Sequence, residues 1–391
     1  MRLLLIAPQP FFEPRGTPIN VRLVAKALAE LGHDVDLAVF PHGQEVDLPG
    51  VTVIRAPAIP GVGKAPIGPS WQKLVYDIAL AEKILLRLLT RRYDVIHGVE
   101  EGAFMAWLFA KLIRAKFVFD MDSHITDQLR YSRFLSNRVL LWLAGKIESA
   151  ALRSADSVIT VCPYLTDVAK RYADPLRVFQ VEDIPQEFPP APTGHTLDSL
   201  RAELGIPRGA LMALYTGNLE KYQGIDLLME SIAEVIAASP PQTVFVIVGG
   251  SAAAVTHYQA RAEALGIAPH VRFAGPRPLS HMPLYYEMAD ILLSPRVEGT
   301  NTPLKIYTYL ATGKPIVATA LPTHTQLLSG DVALLAAPEK VAYARAILLL
   351  LNDVERRRAL GDAGRRFVES RYNYETFRRK IGQAYEPLGR G

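Results

Sequence analysis

The sequence has a single cysteine, Cys162, in 391 residues. One cysteine excludes an internal disulfide framework and a metal site made of several cysteines. Cys162 closes the apolar run 158–162, so we expect a buried thiol in a strand rather than a catalytic one. No run of about 18 apolar residues occurs, so no transmembrane helix is expected. The apolar residues 3–7 stop at Pro8 without a cleavage-type segment, which favours a buried first strand over a signal peptide.

Low-complexity stretches and short internal repeats are also lacking, which argues against extensive disorder and against solenoids or propellers. Only 21% of the residues are charged, and the net charge is +4. The charge is uneven, because residues 64–153 contain 14 Lys and Arg against 9 Asp and Glu. Such a surplus suits a phosphate-bearing substrate or an anionic membrane. No nucleic-acid-binding motif accompanies it, so no nucleic-acid partner is expected.

Apolar residues make up 49% of the chain, and its length predicts two domains. Strand-like runs alternate with helical patterns, which is typical of parallel sheets covered by helices. The first series of predicted strands is 3–7, 34–40, 51–55, 95–97, 117–120 and 157–162, and the second is 211–215, 244–248, 271–273, 291–293 and 315–318. A proline-rich segment within 179–196 predicts a linker between them. We therefore expect α/β domains at 1–190 and 191–371, with ligands at the carboxyl ends of the strands.

The most specific segment is residues 294–318. A strand ends near Ser294, a loop carries the carboxylate of Glu298, and a helix begins near Thr302 and Pro303. The free amides of a helix start are suited to a diphosphate, and Lys305 adds a charge-assisted contact. The competing interpretation is an ordinary strand–loop–helix with solvated charges.

This segment does not stand alone. The loop with Arg15-Gly16-Thr17 and the runs 94–101, 155–161, 215–219, 246–250 and 271–275 accompany it in a specific order. Together they resemble the retaining family 4 glycosyltransferases of the GT-B fold over essentially the whole chain. The resemblance implies two Rossmann-like, doubly wound parallel-sheet domains facing across a cleft. It also implies that residues 372–391 form a terminal helix that crosses back to the first domain.

The resemblance implies a nucleotide-sugar site in the second domain, in which Glu298 contacts the hydroxyls of the transferred sugar. The implied donor-binding residues are Gly16, Thr17, Gly217, Asn218, Lys221, Gln223, Gly249, Arg277, Gly299, Thr300, Asn301, Thr302, Pro303, Leu304, Lys305 and Thr308. Three of these depart from the family pattern. Thr308 stands where the family has a ribose-binding acid, while Asn218 and Gln223 stand where it has an arginine and a lysine. The loop after Glu298 is also two residues longer than usual.

On the acceptor side, the resemblance points to Asp122 and His124 as catalytic candidates, because relatives often present a histidine at this strand end. Arg15, His97, Glu100 and Glu101 are the other acceptor-side candidates. Each has a plain alternative. His124 is also consistent with an exposed loop, His97 with a satisfied buried histidine, and the two glutamates with a solvated helix start.

The implied reaction is metal-independent, retaining transfer of a hexose from a UDP- or GDP-linked sugar to a hydroxyl acceptor. No cofactor or metal is expected, and the spelling Asp120-Met-Asp122 matches a strand end rather than a metal motif. The acceptor is left open as a glycolipid, a polysaccharide precursor or a small molecule. Two alternatives remain: a degenerate relative that binds nucleotide sugar without transfer, and a sugar-nucleotide epimerase.

Residues 71–92 predict an amphipathic helix. Its apolar positions are Leu74, Ile78, Ala81, Leu85 and Leu88, and its basic ones are Lys73, Lys83, Arg87, Arg91 and Arg92. Two interpretations are open: the helix is an amphipathic surface helix that covers the first sheet, which is favoured, or it lies on an anionic membrane. We expect a cytoplasmic protein, with peripheral contact at the inner face of the cell membrane if the second holds.

Overall fold

A computed structural model describes residues 1–13, 16–66, 70–124 and 138–389 of the chain. The chain divides into two compact units. The first unit comprises Met1–Asp183 and Tyr374–Gly391, and the second comprises Ile184–Asn373.

The first unit contains a seven-stranded sheet in the order β3-β2-β1-β4-β5-β6-β7, with every pair of neighbours parallel. Its strands are β1 (Arg2–Ala7), β2 (Asp34–Val39), β3 (Val51–Arg55), β4 (Val95–Val99), β5 (Lys116–Met121), β6 (Ser157–Thr160) and β7 (Val178–Gln180). Strand order reverses between β1 and β4, which places a switch point at their carboxyl ends.

The helices of the first unit are α1 (Gly16–Glu30), α2 (Trp71–Thr90), α3 (Gly102–Ile113), α4 (Arg138–Ser154), α5 (Pro163–Lys170) and α14 (Tyr374–Tyr385). One buried cluster joins residues of β1, β4 and β5 with residues of α2, α3, α4 and α5, so these four helices cover the same face of the sheet. The last helix, α14, packs with α1 and with β6 and β7. The unit is therefore completed by the end of the chain.

The second unit contains a six-stranded parallel sheet in the order β10-β9-β8-β11-β12-β13. Its strands are β8 (Leu211–Thr216), β9 (Thr243–Val248), β10 (Val271–Gly275), β11 (Ile291–Ser294), β12 (Ile316–Thr319) and β13 (Leu334–Ala336). Its helices are α6 (Leu197–Glu203), α7 (Ile225–Ala237), α8 (Ala252–Ala264), α9 (Met282–Met288), α10 (Leu304–Ala311), α11 (Pro322–Thr325), α12 (Lys340–Asn352) and α13 (Val354–Arg371). Separate apolar clusters fill the two faces, so the sheet is doubly wound, with its switch point between β8 and β11.

The prediction of two Rossmann-like parallel sheets is confirmed. Strands β7 and β13 were not predicted, because three residues of mixed burial leave almost no pattern. The expectation that Cys162 lies in a strand is wrong, since β6 ends at Thr160 and Cys162 caps α5. Its thiol is nevertheless buried.

The favoured interpretation of residues 71–92, a helix that covers the first sheet, is confirmed for α2. Its buried residues are Tyr76, Ala79, Leu80 and Ile84. The predicted apolar stripe is divided, because Leu74 is 62% and Ile78 64% exposed, while Ala81 and Leu88 are partly buried against the core. Since the helix has apolar residues on both faces, periodicity alone did not separate the buried positions from the exposed ones.

Candidate functional site

Two loops flank the switch point of the second unit. Residues 217–224 follow β8, and residues 295–303 follow β11 and lead into α10. The loops touch at Gly224, where φ is +75° and an added Cβ would lie 1.9 Å from the carbonyl oxygen of Pro295. Only glycine allows this approach. Backbone hydrogen bonds reinforce it, because the amide of Val297 donates to the carbonyl of Tyr222 at 3.0 Å.

Lys305 lies in the first turn of α10 and reaches back to the other loop. Its Nζ donates to the carbonyl of Thr216 and to Oε1 of Gln223, each at 3.3 Å, and lies 4.2 Å from the centre of the Tyr215 ring. All of these partners are neutral. Burial, and after it the charge of the Arg296 guanidinium, lowers the pKa of Lys305 to about 7. The predicted basic residue therefore occupies the switch point with no counter-charge among the described residues.

Arg296 is a site residue that sequence reasoning missed. It is 8% exposed. Its Nε donates to the carbonyl of Glu298 at 2.7 Å and its Nη2 to Oδ1 of Asn301 at 3.1 Å, and the guanidinium lies 5.3 Å from the centre of the Tyr222 ring. Burial lowers the pKa of this arginine, as expected for a guanidinium removed from water. Arg296 lies within the motif, two residues before Glu298. The spacing in the sequence does not show, however, that its guanidinium lies close to Lys305.

The loop that carries Glu298 is held at several points, while the Glu298 side chain is exposed. Gln326 donates to the carbonyl of Thr300 at 3.0 Å, and Thr323 donates to the carbonyl of Asn301 at 2.8 Å. Gly299 packs directly on the Arg296 guanidinium, since an added Cβ would lie 2.2 Å from Nη2. The loop therefore presents a free carboxylate from a fixed backbone.

The start of α10 carries an unsatisfied hydroxyl. Pro303 is the N-cap residue, and Leu304 is the first residue of the helix. Just before them, Thr302 is 4% exposed, and its Oγ1 has no hydrogen-bond partner within the described residues. Buried polar atoms are normally paired, so this hydroxyl is a candidate ligand contact beside the free amides of the helix.

The other predicted donor residues around these loops differ in their contacts. Gly217 and Gly249 bring two strand ends together, since a Cβ on Gly249 would lie 2.1 Å from the carbonyl oxygen of Gly217. Asn218 donates to the Tyr222 hydroxyl at 3.0 Å, and the nearby Lys221 is exposed. Arg277 is instead paired with Glu203 of α6 at 2.5 Å.

Thr308 has a structural partner. The residue is 4% exposed, and its Oγ1 accepts a hydrogen bond from the amide of Gln186 at 3.0 Å. Thr308 stands where the family has a ribose-binding acid. Here it anchors the segment around Gln186, with which the chain enters the second unit. A glutamate there would need to displace this contact.

At the strand ends of the first unit, the structure brings several carboxyl groups together. Asp122, after β5, is 7% exposed and accepts from Nδ2 of Asn20 at 3.0 Å. Burial, and after it the neighbouring carboxylates, raises the pKa of Asp122 well above its ordinary value. Burial and the charge of Glu101 raise the pKa of Glu100 to about 7. Asp183 lies after β7, and its pKa is also raised to about 7, mainly by burial.

Glu100 and Glu101 have different surroundings. Glu100 accepts from the Ser123 hydroxyl at 3.0 Å, whereas Glu101 forms an ion pair with Lys73 of α2. Asp77, one turn further along α2, has its pKa raised to about 7 by burial and by Glu101. Lys73, Asp77, Asn20 and Asp183 were not predicted, because residues far apart in sequence carry no common motif.

Both predicted histidines have carboxylate partners. His97 is fully buried in β4, where Nδ1 lies 2.5 Å from the Tyr385 hydroxyl and Nε2 lies 3.1 Å from Asp120. The alternative of a satisfied buried histidine therefore describes His97. His124 lies 3.2 Å from the buried Glu148. Gly16 and Thr17 begin α1, and Arg15 lies outside the described residues.

Two family profiles match the two units. The profile described as glycosyl transferases group 1 matches residues 210–353, and the profile described as glycosyl transferase 4-like domain matches residues 15–181. The chain belongs to the group 1 glycosyl transferases. The two matches divide the glycosyltransferase at the same place as the two sheets, and the site loops of the second unit lie within the first profile.

Known proteins resemble this glycosyltransferase along its whole length. A phosphatidyl-myo-inositol mannosyltransferase of Mycobacterium leprae is 25% identical, covering 99% of this chain and 97% of its own. A D-inositol 3-phosphate glycosyltransferase of Corynebacterium diphtheriae is 26% identical, covering 89% and 84%. The structure of a sucrose-phosphate synthase from Thermosynechococcus elongatus superposes with a TM-score of 0.82 at 22% identity, covering 99% and 98%. The GT-B fold is thereby confirmed.

Within the described parts of the chain, no helix is both long and apolar enough to cross a membrane.

Proposed function

We propose that this glycosyltransferase moves a hexose from a UDP- or GDP-linked sugar to a hydroxyl acceptor, with retention of configuration and without a metal ion. The observation that carries the proposal is the switch point of the second unit. There, a free carboxylate, Glu298, lies a few residues from an unpaired ammonium, Lys305, and from the start of α10. Cation and helix amides suit a diphosphate, and a carboxylate suits sugar hydroxyls.

In the proposed reaction, the acceptor hydroxyl attacks the anomeric carbon on the face from which the diphosphate departs. The bond from that carbon to the diphosphate oxygen breaks, and a departing phosphate oxygen takes the hydroxyl proton. Lys305 and the α10 amides stabilise the charge that develops on the leaving group. Glu298 orients the sugar through its hydroxyls. No protein nucleophile is required.

The first unit supplies the acceptor side of the proposal. Asp122 and Glu100 are buried carboxyl groups at strand ends, and a neutral carboxyl group can both donate and accept a hydrogen bond. This pairing suits the hydroxyl groups of a polyol. The two inositol-directed relatives act on acceptors of this kind, so inositol phosphates join glycolipids, polysaccharide precursors and small sugars as candidates.

The test is a thermal-shift screen of UDP- and GDP-linked hexoses, followed by measurement of nucleotide release with and without acceptors, in EDTA. The acceptors are phosphatidylinositol, inositol 3-phosphate and uncharged hexoses. Acceptor-dependent release in EDTA, with a product anomer identical to that of the donor by NMR, supports the proposal. Binding without release would make the protein a degenerate sugar-nucleotide binder. Conversion of the donor without an acceptor would make it an epimerase, and release that requires a metal would overturn metal independence.

A second part of the proposal concerns location, at the cytoplasmic face of an anionic membrane. The exposed apolar residues of the first unit are concentrated on three of the four helices that cover one face of its sheet, namely Trp71, Leu74, Ile78, Leu85, Leu86 and Leu89 of α2, Leu108 and Leu112 of α3, and Val139, Trp142, Leu143 and Ile147 of α4. The exposed charges of α3 and α4 are basic, because α3 has no acid and Glu148 of α4 is buried. Apolar area beside positive charge is complementary to anionic lipid.

Sedimentation with liposomes at low salt tests this docking. We expect the protein to pellet with phosphatidylglycerol-containing liposomes and much less with neutral phosphatidylcholine ones. The paired change Leu112→Ser and Trp142→Ser should release it, while Leu349→Ser, an exposed leucine of the second unit, should not. Equal retention on both liposomes, or a soluble dimer formed through these helices, would overturn the membrane assignment.

A further inference from the structure

The positions at which the family carries two cations hold uncharged amides here, Asn218 and Gln223. A nucleoside diphosphate nevertheless needs its charge neutralised, and amides contribute hydrogen bonds without charge. The proposed donor therefore requires positive charge from other residues of the second unit. Two candidates stand out, because neither Arg296 nor Lys305 pairs with a carboxylate of the described residues.

Lys305 lies beside one of the two amides, and Arg296 shares a neighbour with the other. Nζ of Lys305 is 3.3 Å from Oε1 of Gln223, so a lysine at 223 would place its ammonium in the same neighbourhood. Asn218 and Arg296 share a neighbour, since the Asn218 amide donates to the Tyr222 hydroxyl at 3.0 Å and the guanidinium lies over the Tyr222 ring. The charge thus remains at the switch point, although the residues that carry it have changed.

An uncompensated pair of cations is costly in the absence of an anion. Removing a charge from water without a partner costs several kcal/mol, and two like charges repel. Lys305 hydrogen-bonds only to neutral groups, and Nη1 of Arg296 has no partner among the described residues. The unsatisfied hydroxyl of Thr302 and the free amides of α10 lie in the same loop. A ligand with two negative charges satisfies all of these groups at once.

We propose that Arg296 and Lys305 form a relocated diphosphate clamp, which replaces the cations that the family carries at positions 218 and 223. The inference rests on the proposed nucleoside diphosphate donor, adds Arg296 to the residues that hold it, and pairs Arg296 with Lys305 as the replacement for the two missing cations. Lys305 acts as a point charge opposite Gln223. Arg296 has a second role, because its Nε and Nη2 hold the loop of Glu298 and Asn301 while Nη1 is left for the ligand.

Calorimetry with UDP and GDP, each compared with its nucleoside, tests the clamp independently of turnover. For whichever nucleotide binds the wild-type protein, Lys305→Gln and Arg296→Gln should each weaken the diphosphate by about tenfold or more, since one charge-assisted contact is worth roughly that much. Affinity for uridine or guanosine should change little. Arg208→Gln, at an exposed turn before β8 and therefore at the opposite end of that strand from the 217–224 loop, is the matched control.

The decisive variants return each charge to the position used by the family. Lys305→Gln combined with Gln223→Lys, and Arg296→Gln combined with Asn218→Arg, should each regain most of the lost diphosphate affinity. A purely structural role for either cation would give no such rescue. Thermal unfolding shows whether a variant is folded, and the Lys305 series decides the matter if Arg296→Gln is not.

The outcomes separate this inference from the proposed function. Wild-type binding with unchanged affinity in both single variants, or failure of both swaps to exceed their single variants, overturns the clamp alone. Failure of the wild-type protein to bind either nucleotide overturns the proposed donor and the clamp together.

Discussion

The strand ends of the first unit carry buried carboxyl groups, whereas those of the second unit carry cations that no carboxylate in the described part of the chain pairs with. Burial shifts both sets toward neutrality, so the pKa of Glu100 and Asp183 rises to about 7 and that of Lys305 falls to about 7. The two sheets have the same doubly wound parallel topology. One backbone arrangement therefore serves for opposite electrostatic tasks, and the residues on the loops decide which ligand it accepts.

The exposed acid of the cationic unit offers the sharpest way to test this contrast. Glu298→Gln removes one charge while it preserves shape, on a loop whose backbone is held by other residues. We expect turnover to fall by about tenfold or more, because hydrogen bonds from sugar hydroxyls to a carboxylate weaken when the acceptor is an amide. The melting temperature should not change. Near-normal turnover would remove Glu298 from the site.

The titration of Lys305 offers a second test. Bound diphosphate should raise the pKa of Lys305, so nucleotide affinity is full below pH 7 and falls as the free ammonium loses its proton above it. Of the groups around it, Tyr215 and Tyr309 have raised pKa values, and His324, with a pKa lowered to about 3, is neutral throughout. We expect up to about a tenfold loss of affinity between pH 7 and 8, where the diphosphate is ionised and the base is still neutral.

Calorimetry across this range measures the effect. Lys305→Gln should show a flat profile, and a wild-type profile as flat as that of the variant would contradict the assignment.

The acidic unit should respond in the opposite way. Asp122→Asn imitates the neutral form that burial favours, so folding should be preserved. We expect nucleotide affinity to be unchanged and transfer to fall by about fivefold, because an amide presents different hydrogen-bond donors and acceptors to the acceptor hydroxyls than a neutral carboxyl group does and so positions them less well. Measuring kcat/KM for the acceptor and Kd for the nucleotide separates an effect on transfer from an effect on donor binding. A weaker nucleotide Kd in this variant would contradict the division of tasks.

The smallest expected effect on activity comes from a change behind the acidic strand ends. Tyr385→Phe removes the hydroxyl that contacts His97 and leaves a buried ring nitrogen without its partner. The free energy of unfolding should fall by about 1 to 3 kcal/mol in urea titration, with little change in transfer. Tyr374→Phe, whose hydroxyl meets Glu30 at the surface, is the control and should lose much less. Equal losses of unfolding free energy in both variants would mean that the contact between Tyr385 and His97 does not stabilise the first unit.

The sheets were predictable because a buried parallel strand is a short contiguous run of apolar residues. Eleven strands were predicted from such runs, in the order in which the structure has them. The site was predictable where a motif is contiguous, as at Glu298 and Lys305. Arg296 was missed because its importance depends on a neighbour nine residues away reached through a folded loop. The buried and exposed apolar residues of α2 were not separated, because the helix carries apolar residues both on the side that meets the sheet and on the side that does not.

The last helix has a consequence for the order in which the chain matures. The second unit is continuous in sequence, but the first unit needs residues from 374 onward, including the Lys380 contact with Glu182 and Tyr385 beneath His97. During synthesis, domains usually complete themselves in the order in which they emerge. Here the order is reversed, because the first sheet to be translated is the last to receive its final helix. A ribosome that stalls before Tyr374 would release a finished second unit attached to an unfinished first one.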